Sequence, residues 1–165
     1  RMIAGSAPGG DWRERLDRAL DTSNRAGAAA TIEHSIRPAM TQFAQELESR
    51  GQTANVTEEQ VEGESLPNLM LQVDFGDATS FVYQVCPHRM RTPNFIPADD
   101  DFYVRLDVYL AEGGQDKDLN GYTRGQVIGD LVAEYERHLQ FLALAGGHAQ
   151  AMPGTIGEPP EDAQM

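Results

Sequence analysis

Cys86 and His88 stand two residues apart, so on a strand both side chains can face one way. A thiol and an imidazole in that arrangement could ligate zinc or form a nucleophile–base pair. Zinc would need two further ligands, and neither His34, His138 nor His148 is spaced to supply them. The plainer reading makes Cys86 a small, half-buried residue near a strand end. No metal, cofactor or catalytic residue is assigned on this basis.

A second candidate is Asp116-Lys117-Asp118-Leu119-Asn120-Gly121. Oxygen ligands at the first, third and fifth places and Gly at the sixth match the first half of an EF-hand loop. The twelfth place should carry a bidentate Glu and carries Val127. A strand pattern also precedes the run where a helix should stand, so it reads as an acidic turn between strand and helix. Asp99-Asp100-Asp101 reads as a solvated loop at a strand entrance. Glu134, Glu136, Arg137 and His138 read as a surface face of the last helix, and functionally as a recognition face for a partner. Gly113-Gly114 follows a strand, but the acidic residues after it would repel phosphate. Neither Gly-x-Ser-x-Gly nor His-Glu-x-x-His occurs. An enzymatic reading has no chemical group to rest on.

The elements that would position these residues follow from periodicity. Trp12, Leu16 and Leu20 are spaced as one turn of a helix after another. Ile32, Ile36, Met40, Phe43 and Leu47 share a helical face, interrupted by Pro38, which predicts a kink or a restart. Gly51 is a natural stop. The period then changes to two. Leu69, Leu71, Val73 and Phe75 predict a strand, Gly76–Thr79 a hairpin connection, and Phe81, Tyr83 and Val85 the returning strand. Phe102, Val104, Leu106, Val108 and Leu110 predict another, with Tyr103, Arg105, Asp107 and Tyr109 on its other face. A weaker, polar strand near Ala54–Glu59 suits a sheet edge. Thr123 and Gln126 have the form of a capping box. Val127, Ile128, Leu131, Tyr135, Leu139 and Leu142 trace the face of the following helix, which Gly146-Gly147 should end. The expected fold is an α+β two-layer domain, with about four antiparallel strands and the N- and C-terminal helices on one face. Residues 1–25 read as a basic lead, 26–145 as the folded domain and 146–165 as a flexible Gly/Pro-rich tail.

The 165 residues carry 13 basic and 26 acidic side chains, a net charge of −13. The first 25 residues hold five arginines and a net +1, leaving −14 for the remainder. A body so acidic is a poor ligand for nucleic acid and is repelled by anionic lipid. One cysteine excludes internal disulfides and fits a reducing compartment. No apolar run approaches the ~18–20 residues of a membrane span, and no secretory signal is visible. An Arg at position 1 reads as a fragment or a processed product.

The most distinctive stretch is Phe102–Leu131, continued by Tyr135-Glu-Arg-His-Leu-Gln-Phe-Leu142. It resembles the C-terminal cytoplasmic domain of BetT-type choline transporters in the betaine–choline–carnitine transporter (BCCT) family. That family shows a Tyr-aliphatic strand, a Gly-Gln-x-Tyr-Asp-aliphatic-x-Gly-Tyr/Trp turn and a helix ending Gln-Tyr-Glu-Arg-His-Leu-x-Phe-Leu. The chain departs from the pattern at Lys117, where Tyr is usual, at Asn120, where an apolar residue is common, and at Glu134, in place of Gln. These read as turn and surface positions. The resemblance is looser over Ile36–Met40 and Phe75–Val85.

The resemblance implies a parent carrier of twelve spans in a bacterial inner membrane, taking up choline or a related quaternary ammonium. This chain would be its regulatory part on the cytoplasmic side, tuned by osmotic stress or ionic strength. Its partner would be the membrane core of its own transporter, with self-association left open. The substrate cage lies outside this chain, so no site residue carries over. The alternative is a small acidic export chaperone that holds client segments on apolar surfaces.

Overall fold

The structure, a computed structural model, describes residues 12–22, 27–76, 78–97 and 101–151. Side chains are described up to Asp17 in the first helix and up to Gly146 in the last. Residues 1–11 and 23–25 of the basic lead, Ala26, Asp77 of the hairpin connection, Ala98, Asp99 and Asp100 of the acidic run, and 152–165 of the tail lie outside the described residues.

The first helix, α1 (Trp12–Thr22), includes Trp12, Leu16 and Leu20, whose spacing predicts a short helical segment. A second helical segment then runs as α2 (Ala28–Thr31), a π-helical turn (Ile32–Ile36) and α3 (Arg37–Ser49). Pro38 is the physical cause of the π turn. It has no N–H to give to His34, and its ring crowds that carbonyl, so the turn before it widens. The helix therefore restarts with Pro38 in its first turn. It closes at Gly51, whose φ of 91° is a left-handed cap.

Five strands follow: β1 (Thr53–Glu59), β2 (Asn68–Phe75), β3 (Ala78–Arg91), β4 (Phe102–Leu110) and β5 (Gly113–Asp118). They pair antiparallel in chain order, with β1 and β5 at the edges. The last helix is α4 (Arg124–Ala151). Two expectations are corrected here. The acidic turn is largely a fifth strand: Gly113 and Gly114 pair with Leu110 and Tyr109, and Asp118 with Asp107. Alternation could not reveal it, because Gly-Gly-Gln-Asp-Lys-Asp has no apolar residue to alternate. Its ladder bulges opposite Val108, where Asp116 takes a positive φ of 52°. The last helix also does not stop at Gly146-Gly147 but passes through the pair to Ala151.

Register places the core. Leu69, Leu71, Val73, Phe81, Tyr83, Val85, Leu106, Val108 and Leu110 all point to one face and are buried. Ile32, Ile36, Met40, Phe43 and Leu47 cover them from α2–α3, and Val127 and Leu131 from α4. This is the two-layer α+β arrangement. The ends of the helix–sheet interface are tied by matched rises. Tyr83 meets Asp130, and four strand residues earlier the Thr79 carbonyl meets His138, eight helix residues later. Four strand residues and eight helix residues each cover about 12–13 Å, so α4 runs antiparallel to β3 in step with it. The capping box is formed: Gln126 N–H donates to Thr123 Oγ1 at 3.2 Å, and Thr123 N–H to Gln126 Oε1 at 2.9 Å.

Candidate functional site

Polar side chains gather in four places, and the sequence separates most of the partners widely. The first lies between β5 and α4. Lys117 Nζ is 2.6 Å from Asp130 Oδ1 and 3.0 Å from Glu134 Oε2, and Tyr83 Oη donates to Asp130 Oδ2 at 2.5 Å. Arg137 continues the row, reaching Glu134 at 3.0 Å and Glu112 at 2.7 Å. The carboxylates of Asp130 and Glu134 are only 15% and 13% exposed. Burial is the largest single influence and would lower the Lys117 pKa, but the hydrogen bonds and charges of Asp130 and Glu134 together outweigh it and hold it above the usual lysine range. Burial would likewise raise Glu134, but donation from Lys117 and Arg137 holds it below the usual carboxylate range. Burial, with Asp130 beside it, pushes the Tyr83 phenol well up. Lys117 and Arg137 therefore stay cationic, Glu134 anionic and Tyr83 neutral near neutrality.

This cluster corrects the reading of Lys117 and Glu134 as turn and surface positions. Two of the three departures from the family pattern are ion-pair partners of each other. The third, Asn120, is also half-buried and bonded. Its Nδ2 donates to the Val104 carbonyl at 3.2 Å, while Thr31 Oγ1 donates to its Oδ1 at 3.0 Å. The same Thr31 hydroxyl accepts from Gly121 N–H at 3.0 Å, so the turn after β5 is sewn to the helix next to the π segment. Glu134, Arg137 and His138 are correspondingly not one outer recognition face. They point to the sheet, His138 packing on Phe75 and Phe81, and only Glu136 of the four is exposed.

The third group is on the open face of the sheet, where β3 and β4 place Cys86, His88, Arg105, Asp107 and Tyr109. His88 Nδ1 lies 2.6 Å from Asp107 Oδ2, and Arg105 Nε donates to Asp107 Oδ1 at 2.8 Å. Tyr109 meets the His88 ring edge-on. Cys86 joins no such group. Burial, then the nearby Asp107 and Glu59 charges, raise its thiol pKa, which is the opposite of what a nucleophile needs. Among the described residues no three His, Cys, Asp or Glu side chains converge on one point. The EF-hand oxygens diverge: Asp116 is fully exposed, Asp118 accepts from Leu106 and Asn120 N–H, and Asn120 turns to Thr31. Gly113 and Gly114 serve β5. Gly113 has a φ of 122°, and a Cβ on Gly114 would come within 3.2 Å of the Tyr109 ring.

The fourth group is on the helix side of edge strand β1. Arg37 grips Glu58 with two nitrogens, at 2.5 and 2.9 Å, and also pairs with Glu33. The hydrogen bond from Arg37 lowers the Glu58 pKa. Among the described residues, Arg105, Asp107 and Tyr109 of the third group line a shallow, open groove of about 340 Å³, and Glu112, Glu134 and Arg137 of the first border a recess of only about 20 Å³. The four groups are joints between elements, and the Arg37 group is more open to solvent than the Lys117 pairs. No helix among the described residues is long and apolar enough to cross a membrane.

The class these features define is a two-layer domain whose polar groups join its own elements. The comparisons then give the family. The chain is 36% identical over 149 residues, 86% of its length, to the high-affinity choline transport protein of Escherichia coli (strain K12). It is 36% identical over 138 residues to the osmo-dependent choline transporter BetT2 of Acinetobacter baylyi, and 29% identical over 139 residues to a glycine betaine transporter of the same organism. Over most of its length the chain is homologous to a segment of these BCCT choline and betaine transporters, and it spans about a fifth of the length of the relatives it matches. No family model matches it. The relatives are transporters, not enzymes.

Proposed function

We propose that this domain is the cytoplasmic C-terminal regulatory part of a BCCT-type carrier for choline or glycine betaine, and that it adjusts uptake to osmotic stress by responding to ionic strength. The observation that carries the reading is the identity over 86% of the chain to choline transporters, one of them named for osmotic dependence. The charge distribution supports it. A segment of net −14 follows a lead of net +1. Contacts it makes with basic or anionic surroundings weaken as the Debye length falls from ~8 Å at ~0.15 M salt to ~3 Å at ~1 M. The joints differ in how much they would feel this. Lys117 and its carboxylates are sheltered, whereas Arg37–Glu33, Arg50–Glu46 and Arg137–Glu112 are open to solvent. The domain itself needs no substrate pocket in this role.

The test removes residues 27–151 from the full-length carrier and follows choline uptake against medium osmolality. Uptake should persist while its osmotic activation flattens. An activation curve unchanged by the deletion overturns the proposal.

A further inference from the structure

Eleven large apolar side chains are exposed among the described residues, and they lie on three parts of the fold. Trp12 and Leu16 lie on α1. Val132, Leu139, Phe141 and Leu144 lie on α4. Met90, Phe95, Ile96, Phe102 and Tyr103 lie within one hairpin. That hairpin is an arm. β2 pairs with β3 only as far as Val85, and β5 with β4 only from Asp107 onward, so Pro87–Arg91 and Phe102–Leu106 form a two-stranded ribbon. Its turn carries Phe95, 83% exposed, and Ile96. Arg89 and Arg91 stack on Phe102 at 4.7 and 5.3 Å, holding guanidinium groups at the edge of the apolar tip.

The α4 patch is at the other pole. Beyond His138, which sits at the Thr79 end of β3, the helix reads Leu139-Gln-Phe-Leu-Ala-Leu-Ala145, without a charge. A helix apolar on all sides is a helix built to be covered. Its upstream turn offers the exposed carboxylate of Glu136. β3 is 14 residues long, about 45 Å at ~3.3 Å per residue, and it separates the two poles. The arm of one molecule therefore cannot reach its own α4 end.

We infer that the β3–β4 arm docks on the outer end of α4 of a second copy of this chain, head to tail. Phe95 and Ile96 would cover Leu139 and Leu144, with Arg89 or Arg91 facing Glu136. The charge pattern favours a protein over a lipid surface, because Asp99-Asp100-Asp101 follow the apolar tip and would be repelled by anionic headgroups. A second copy supplies what the arm needs, an uncharged apolar helix flanked by a carboxylate. Such a contact is heterologous, so it closes a ring or extends a filament and leaves one free arm and one free helix end on any open assembly.

The test uses the whole chain of 165 residues in sedimentation equilibrium. Wild type should show concentration-dependent association. Phe95→Ser with Ile96→Ser, and separately Leu139→Glu with Leu144→Glu, should each weaken it about tenfold or more, as loss of a central anchor does. All four positions are exposed, so folding, checked by circular dichroism, should persist. The deciding result is the mixture: one variant keeps an intact helix end and the other an intact arm, so mixed together they should form a one-to-one complex that grows no further. A wild type monomeric at every concentration, or arm variants monomeric while helix-end variants still self-associate, would overturn the inference. So would binding of the monomer to phosphatidylserine vesicles without self-association.

Discussion

Replacing Lys117 by Met should destabilise the domain by about 2–3 kcal/mol. Breaking a fully buried ion pair costs about 3–5 kcal/mol, and an exposed one about 0–1. The Lys117 side chain is 24% exposed, and its two carboxylates 15% and 13%, so the cost falls between. Without the ammonium, Asp130 keeps the Tyr83 hydroxyl and Glu134 keeps Arg137. At about 4 °C per kcal/mol for a domain of this size, the melting temperature should drop about 8–12 °C. Glu134→Gln alone should cost about 1 kcal/mol. The double substitution should cost less than the sum by about 1 kcal/mol, because the ion pair can be lost only once. Urea unfolding of the four proteins at neutral pH measures the cycle. The pH dependence has a definite sign. Glu134 has a lowered pKa in the fold, so its contribution is present above the ordinary carboxylate range and is lost as pH falls through the lowered value. Lys117 has a raised pKa, so its contribution is present below the ordinary lysine range and is lost as pH rises through the raised value. The gap between wild type and Lys117→Met should be flat around neutrality and narrow in acid. Additivity of the two substitutions within about 0.3–0.5 kcal/mol would refute the pairing argument.

Thr31→Val keeps the volume but removes the hydroxyl that accepts from Gly121 N–H and donates to Asn120 Oδ1, and should cost about 1–3 kcal/mol in urea unfolding; a loss under about 0.5 kcal/mol would contradict the seam. Arg37→Ala should cost at most about 1 kcal/mol at low salt, with the loss shrinking at ~1 M NaCl, because its partners are open to solvent. The Lys117→Met loss should survive the same salt, and equal screening of both would remove the distinction between sheltered and open joints. Alkylation of Cys86 by iodoacetamide should be slow at neutral pH, its rate rising only above the ordinary thiol range; rapid modification near pH 7 would show the thiol is not held protonated.

Much of the fold was readable because its core obeys two simple periods. The i, i+4 stripe of α3, the alternation of β2 to β4 and the capping box of α4 all fold as their spacing predicts. So does the polar edge strand β1. β5 was hidden because its pairing is a property of backbone and register. Its side chains are glycines, which give it conformational freedom, and polar residues, which carry no period. The run-on of α4 through Gly146-Gly147 was hidden because a glycine penalty of about 1 kcal/mol each is a weak stop inside a 28-residue helix. The joints were least readable. Lys117 meets carboxylates 13 and 17 residues away, and Thr31 meets Asn120 across 89 residues. Local spacing says nothing about such pairs. The departures from the family pattern at Lys117 and Glu134 were the available signal, since two unusual charges of opposite sign can be explained by each other.

The most direct test of the regulatory role is an exchange. In the full-length carrier, residues 27–151 would be replaced by the aligned segment of the E. coli high-affinity choline transport protein, and choline uptake followed against osmolality. The account predicts that the midpoint of osmotic activation moves to that of the segment's donor, while uptake at full activation stays with the recipient. A midpoint that remains with the recipient would contradict it.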